Sequence, residues 1–185
     1  MLFGDPYKFG FLIERVAAWE YPPFVNGLMF LYLNENAYPA ELRTTTLSTE
    51  LPELLDDLSP LVAPKKDKKL FNAESDERFE YLAAVTYPED IDKESDYSYV
   101  VPFHEINDSG YAVFTLTDGQ SVMITIGQWS EGKLIPKDEY ILPKSSYNKV
   151  IDGLKEFYKG LDKRQENTKP APKTGKVTLH KIKNK

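Results

Sequence analysis

Apolar and polar positions change their period several times along this chain, and each change marks an element. Residues 9–19 and 28–33 are apolar and aromatic runs that read as strands, with residues 21–27, rich in Pro and closed by Asn26-Gly27, as their connection. Asn34, Asn36 and Tyr38-Pro39 then turn the chain again, which predicts an antiparallel N-terminal meander. Leu51, Leu54, Leu55 and Leu58 follow at i, i+3, i+4 and i+7, the spacing of four leucines on one core-facing side of a short helix that starts near Thr49 and stops at Pro60 and Pro64. Residues 65–69 read as a solvated basic loop. A second helix is predicted over residues 75–87, with Phe79, Leu82 and Ala83 inward and Glu77 and Glu80 outward.

From Tyr99 the period becomes two. Residues 99–103, 111–117 and 121–126 are β-branched and aromatic, Asp118-Gly119 is a hairpin signal between the last two, and a further strand is expected over residues 139–142. The last element is a long amphipathic helix: Tyr147, Val150, Ile151, Leu154, Phe157, Tyr158 and Leu161 form its stripe, behind Pro143 and a cap at Ser145 or Ser146. Strands, two shorter helices, strands and a long C-terminal helix predict an α+β fold with an antiparallel sheet, not a parallel βαβ architecture. No internal repeat interrupts this order.

Charge divides the same chain in two. Eight of its basic residues lie from Lys163 onward against Glu166 alone, so a whole-chain charge of −6 conceals a body, residues 1–162, at −13. We therefore expect one domain over residues 1–162 and a basic, Pro- and Lys-rich tail over residues 163–185, in which Val177 and Leu179 alternate as in a short strand. The apolar fraction of 41% is enough to build a core, so the acidic body is expected to fold. There is no cysteine, which removes disulfides and thiolate sites and fits a reducing compartment. No basic segment leads into a long apolar run at the start, and residues 28–33 fall far short of the roughly 20 needed to span a bilayer, so a cytoplasmic protein without a membrane contact is expected.

Chemical signatures are few. His104, flanked by Phe103 and Glu105, is the one histidine of the body and the only candidate there for general acid–base work; the plainer account is a half-buried imidazole bonded to Glu105 or backbone. Nucleophile elbows and phosphate loops are missing, since neither G-x-S-x-G, G-x-x-x-x-G-K nor G-x-G-x-x-G occurs. The densest feature is acidic: Glu74, Asp76, Glu77 and Glu80, then Glu89, Asp90, Asp92, Glu94 and Asp96, with Tyr97 and Tyr99 beside them. A calcium loop starting at Asp90 fails, because the required glycine falls on Ser95 and the closing glutamate on Val101. No metal or cofactor is expected. What the run offers is either a hydrated loop, the plainer account of an isolated acidic run, or an edge on which a basic protein docks, and a body at −13 brings the second level with the first because its summed field attracts cations and repels nucleic acid. Trp19, Tyr21 and Trp129 are further aromatic candidates for an interface, although most such residues are expected in the sheet core.

Phe3, Gly4, Asp5, Pro6, Tyr7, Lys8 and Phe9, followed by Trp19, Asn26-Gly27-Leu28 and Tyr38-Pro39, cover about the first quarter of the chain and resemble the immunity-42 family of bacterial polymorphic-toxin immunity proteins. The resemblance implies a small cytosolic protein, without turnover of its own, that is encoded beside a toxin of contact-dependent inhibition or a related system. Its partner would be the toxin's C-terminal domain, a basic nuclease in many such pairs. No site residue is carried over by the resemblance. The contact residues expected from charge are Glu74, Asp76, Glu77, Glu80, Glu89, Asp90, Asp92, Glu94, Asp96, Tyr97 and Tyr99. Two other readings predict different behaviour: a carboxylate-based hydrolase or metal-binding protein using His104, and an accessory protein that touches nucleic acid through its tail, which the acidic body opposes.

Overall fold

The computed structural model describes residues 1–167, with side chains to Leu161. Two sheets and a layer of helices form an α+β fold. The first sheet is built from β1 (Leu2–Asp5), β2 (Phe9–Arg15), β3 (Asn26–Leu33) and β4 (Asn36–Tyr38) in sequence order, all antiparallel, and β5 (Thr45–Thr46) shares the outer edge of β3 with β4. This is the expected meander. Strict alternation in β3 sends Met29, Leu31 and Leu33 inward, while Leu28, Phe30 and Tyr32 stay half-buried on the other face.

The chain then enters α1 (Leu47–Leu54), β6 (Lys65–Lys66), α2 (Lys68–Phe71), α3 (Ser75–Thr86) and α4 (His104–Asp108). The second sheet follows as β7 (Tyr111–Thr117), β8 (Ser121–Ser130) and β9 (Lys133–Pro143), in the order β6-β7-β8-β9, with β6 parallel to β7 and the others antiparallel. The helix α5 (Lys144–Asn167) closes the described chain. The stripe expected on α5 is buried at Tyr147, Val150, Ile151, Leu154 and Leu161, and the ring of Tyr147 stacks on Phe9.

The second sheet is buried on both faces, because β7 and β8 stand between two cores. Val113, Val122, Ile124 and Ile126 point toward the first sheet, α1, α4 and α5; Ala112, Phe114, Leu116 and Met123 point toward α2 and α3. The two sheets are tied at one point by Asp138 of β9. Its carboxylate accepts from Asn34 Nδ2 at 2.7 Å, Asn36 Nδ2 at 3.0 Å and the Tyr38 hydroxyl at 3.1 Å.

Several expectations are corrected. Leu58 lies beyond α1 and is 89% exposed, because the helix ends at Leu54, before the fourth leucine of the stripe. Residues 65–69 are not a free loop: Lys65 and Lys66 pair with Leu116 and Thr117 of β7, and Asp67 caps α2 by accepting from Leu70 N at 2.9 Å. Residues 99–103 follow β7 through the bonds Thr115 N to Tyr99 O and Val101 N to Val113 O but form only a bridge, since Pro102 has no N–H to extend a ladder. The strand expected over residues 139–142 is much longer, starting at Lys133. The side chains from Lys163 onward lie outside those described, and the alternating residues Val177 and Leu179 lie outside the described residues.

Candidate functional site

The acidic residues are distributed over α3 and the loop that leaves it. Glu74 is the N-cap position of α3, Asp76 and Glu77 lie in its first turn, where carboxylates complement the free N–H groups, and Glu80 is one turn further on. All four are exposed, as are Glu89, Asp90, Asp92 and Glu94 in the following loop. That exposure follows from the helix pattern, since Phe79 and Leu82 take the buried side.

Asp96 differs from the rest. Lys65 Nζ stands 3.0 Å from its carboxylate and the Ser98 backbone N–H donates to it at 2.9 Å; hydrogen bonds from Ser98 and then Lys65 hold its pKa at about 2. Among the described residues it is the single ion-paired carboxylate of the nine. Tyr97 is exposed. Tyr99 is 1% exposed, packs in the α2–α3 core with Tyr81 edge-on and carries Lys65 Nζ 4.2 Å above its ring, so burial leaves it no surface to offer a partner.

Next to these carboxylates the surface opens into a groove of about 790 Å³ between α3 and the β8–β9 hairpin. Phe79, Ala83, Leu134, Tyr87 and Trp129 line it, together with the charged residues Glu80, Glu89, Asp90, Lys93 and Lys133. Trp129 is 39% exposed and meets Tyr87 edge-to-face at 5.2 Å. The β8–β9 register slips between Ile126, opposite Asp138, and Gly127, opposite Pro136; the extra residue, Lys137, is in β9, so Leu134 rather than Ile135 pairs with Trp129, and β8 is exposed at Trp129 and Ser130. Sequence reading names Trp129 among the aromatic candidates for an interface but misses Tyr87, Leu134 and Ile135, because a two-residue alternation gives no sign of the extra residue in β9 or of where α3 packs. The wall formed by α3 is held to β9 by a pair that sequence reading also missed, Arg78 with Glu139.

His104 lies elsewhere, at the start of α4. Its ring Nε2 is 2.7 Å from Glu53 Oε2, and its backbone N–H donates to Glu50 Oε1 at 2.9 Å. Glu105, expected as the partner of the imidazole, instead faces Arg43 at 3.5 Å. Glu50 is 3% exposed, and burial pushes its carboxyl up to about 7, against the opposing pull of His104. The hydrogen bond that the His104 ring donates to Glu53 raises the imidazole pKa above its ordinary value. Glu50 thus supplies from α1 the N-terminal cap that Phe103 cannot give to α4. This arrangement accounts for the residues as a helix junction. Among the described residues no three His, Cys, Asp or Glu side chains converge as a metal site would require, and no helix is long and apolar enough to cross a membrane.

The family model of Immunity protein 42 matches residues 1–157. The chain belongs to the immunity protein 42 family. That membership assigns an immunity function, the neutralisation of a toxin. In the solved structures this immunity-42 chain is similar to CdiI from Burkholderia dolosa AUO158, at 20% identity and a TM-score of 0.66, over 85% of this chain and 99% of that one. The likeness shows the fold. No curated protein sequence matches.

The family opening is structural in this immunity-42 fold. Gly4 has φ +86°, and a Cβ there would stand 2.4 Å from the Phe9 carbonyl oxygen across the β1–β2 pair. Phe3 packs edge-on against Phe157 of α5 at 5.7 Å. In the second motif a Cβ on Gly27 would stand 2.0 Å from the Glu14 carbonyl oxygen. Gly4 and Gly27 of these motifs therefore set strand approach, while Tyr7 and Trp19 remain exposed.

Proposed function

We propose that residues 1–162 bind and neutralise the C-terminal domain of a contact-dependent inhibition toxin, a nuclease with a basic substrate-binding surface, by stoichiometric docking on the acidic segment of residues 74–96. One observation carries the placement: of nine carboxylates in that segment, eight are exposed and carry no ion pair among the described residues. Carboxylates left in water beside one another are poor contributors to folding, and like charges on one surface oppose it. They suit a surface whose partner brings the countercharge. The mechanism is occlusion: the acidic face occupies the toxin's phosphate-binding surface or its edge, with no turnover. It operates in the cytosol, where the toxin acts.

The experiment is direct. The chain and the toxin domain encoded beside it are purified, mixed, and followed by size-exclusion chromatography, nuclease assay and surface-binding kinetics at rising salt. We expect a 1:1 complex, loss of nuclease activity, an association rate that falls with ionic strength, and a further fall for Asp90→Lys with Asp92→Lys. A toxin that binds and is inhibited equally well by the doubly reversed variant removes the acidic segment from the interface. Absence of binding or inhibition by the wild type removes the immunity pairing itself.

A further inference from the structure

We propose that the groove between α3 and the β8–β9 hairpin is the anchor slot of the docking face, and that its occupant is a toxin segment presenting an apolar side chain beside a Lys or Arg. The inference rests on the toxin-binding reading above and assigns the part of the complex that holds it together.

Carboxylates alone give steering without much retention, because exposed ion pairs are worth little once salt and solvent screen them. Retention comes from a few desolvated anchors, and Trp and Tyr are enriched there because two χ angles fix a large area. The groove meets that requirement on the acidic face. Trp129 at 39% exposure and Ile135 at 45% line it, above Phe79 and Leu134, which belong to or pack on the core. Tyr87 and Trp129 hold each other edge-to-face, so little side-chain freedom remains to be lost on binding. Its volume of about 790 Å³ admits a few side chains rather than a whole helix.

The margin selects the charge of what enters. Glu80, Glu89 and Asp90 border the groove, and Asp92 and Glu94 continue the acidic loop next to Asp90, against Lys93 and Lys133. An apolar side chain alone would leave these carboxylates facing it and losing water; a neighbouring Lys or Arg turns that loss into charge-assisted hydrogen bonds. A basic partner also follows from complementarity with the acidic wall as a whole.

The test uses the full chain and the catalytically inactive toxin domain. In a Trp19→Phe background Trp129 is the single tryptophan, and its emission should shift to shorter wavelength when the toxin is added. Trp129→Ala and, separately, Ile135→Ser should raise the dissociation rate at least about tenfold while leaving the association rate within about twofold, whereas Asp90→Lys with Asp92→Lys should act on association. Ile135 is half-exposed, so its substitution guards against a folding defect in the tryptophan variant. Binding with unchanged dissociation for both variants and no change in Trp129 emission overturns the slot while leaving the toxin reading intact; failure of the unmodified chain to bind overturns that reading. Truncation after Asn167 controls for another occupant: a shift of Trp129 emission to longer wavelength on truncation alone would place the chain's own basic residues in the groove and overturn the proposal.

Discussion

Arg78 Nη2 stands 2.7 Å from Glu139 Oε1, and this contact joins the helix that carries the acidic residues to β9, a strand of the opposite wall of the groove. Arg78 Nε also reaches Glu139 Oε2 at 3.3 Å, and Nη1 donates to the carbonyls of Ala73 and Phe71. Thr125 Oγ1 donates to Glu139 as well, at 3.2 Å. Nearly all donors of the guanidinium are engaged. Its partner Glu139 follows Asp138, which ties β9 to the first sheet. Two adjacent acids therefore fix β9 from opposite sides.

Removing Arg78 strands Glu139 against a buried surface, which typically costs about 3–5 kcal/mol for a fully buried pair. Glu139 retains some solvent, so we expect Arg78→Ala to lower unfolding free energy by roughly 3 kcal/mol in urea titrations. Arg78→Lys keeps the charge and loses the fork, and should fall between the two. Near-ultraviolet circular dichroism of Trp129 should change in Arg78→Ala, because one wall of its groove is freed. A variant as stable as the wild type would mean that the pair does not fasten α3.

The acidic helix was legible because its apolar side repeats at helical spacing: Phe79 and Leu82 fall inward as expected, and α3 ends at Thr86, within one residue of the expected end. The Arg78–Glu139 pair was not, since its members are 61 positions apart and each looks like one more surface charge in its own segment. The same reason hides β6. Lys65 and Lys66 have no strand pattern of their own; β7 recruits them through its backbone, and Asp96, Ser98 and the face of Tyr99 receive the Lys65 ammonium. Of the candidate site, the carboxylates could be found by composition and the groove could not, because it depends on a register shift in β8–β9 and on where a helix packs. Tyr99 lies next to Tyr97 and Ser98, yet one tyrosine faces solvent and the other the core.

Gly4 and Gly27 should be intolerant of even a methyl group. At Gly4 the left-handed φ and the Phe9 oxygen at 2.4 Å both oppose a Cβ; at Gly27 the obstacle is the Glu14 oxygen at 2.0 Å, in the β2–β3 pair that sets the sheet register. Alanine at either position is expected to destabilise by about 2 kcal/mol or more, with backbone strain alone worth about 1–3 kcal/mol at Gly4. Gly160 of α5 is the control, since a methyl there meets nothing within 4 Å and should stabilise the helix by up to about 1 kcal/mol. Thermal melts of the three variants decide the matter; equal melting temperatures for Gly27→Ala and the wild type would contradict the close approach.

Stability should also fall as pH rises through neutrality, by way of Glu50. Its carboxyl is pushed up to about 7 from an ordinary 4.5, so between those values the folded chain binds a proton that the unfolded chain has released. The stabilisation is whole below about pH 4.5 and is lost as the pH climbs past 7; each pH unit of difference is worth about 1.4 kcal/mol, which gives a loss of roughly 3 kcal/mol. His104 acts in the same direction, because a raised imidazole pKa contributes stability below 6.5 that disappears as the pH passes its folded value. Glu53, Glu105 and Asp108 face the same junction, with Arg43 on Glu105. Asp96, held at about 2, changes charge far below this window. Glu50→Gln keeps an oxygen to accept the His104 N–H and cannot ionise, so its urea midpoint should exceed that of the wild type at pH 8 and match it near pH 4.5. The shallow slope that remains in Glu50→Gln should disappear in the double variant with His104→Gln. Parallel pH profiles for wild type and Glu50→Gln would mean that the buried carboxyl is not the group that titrates.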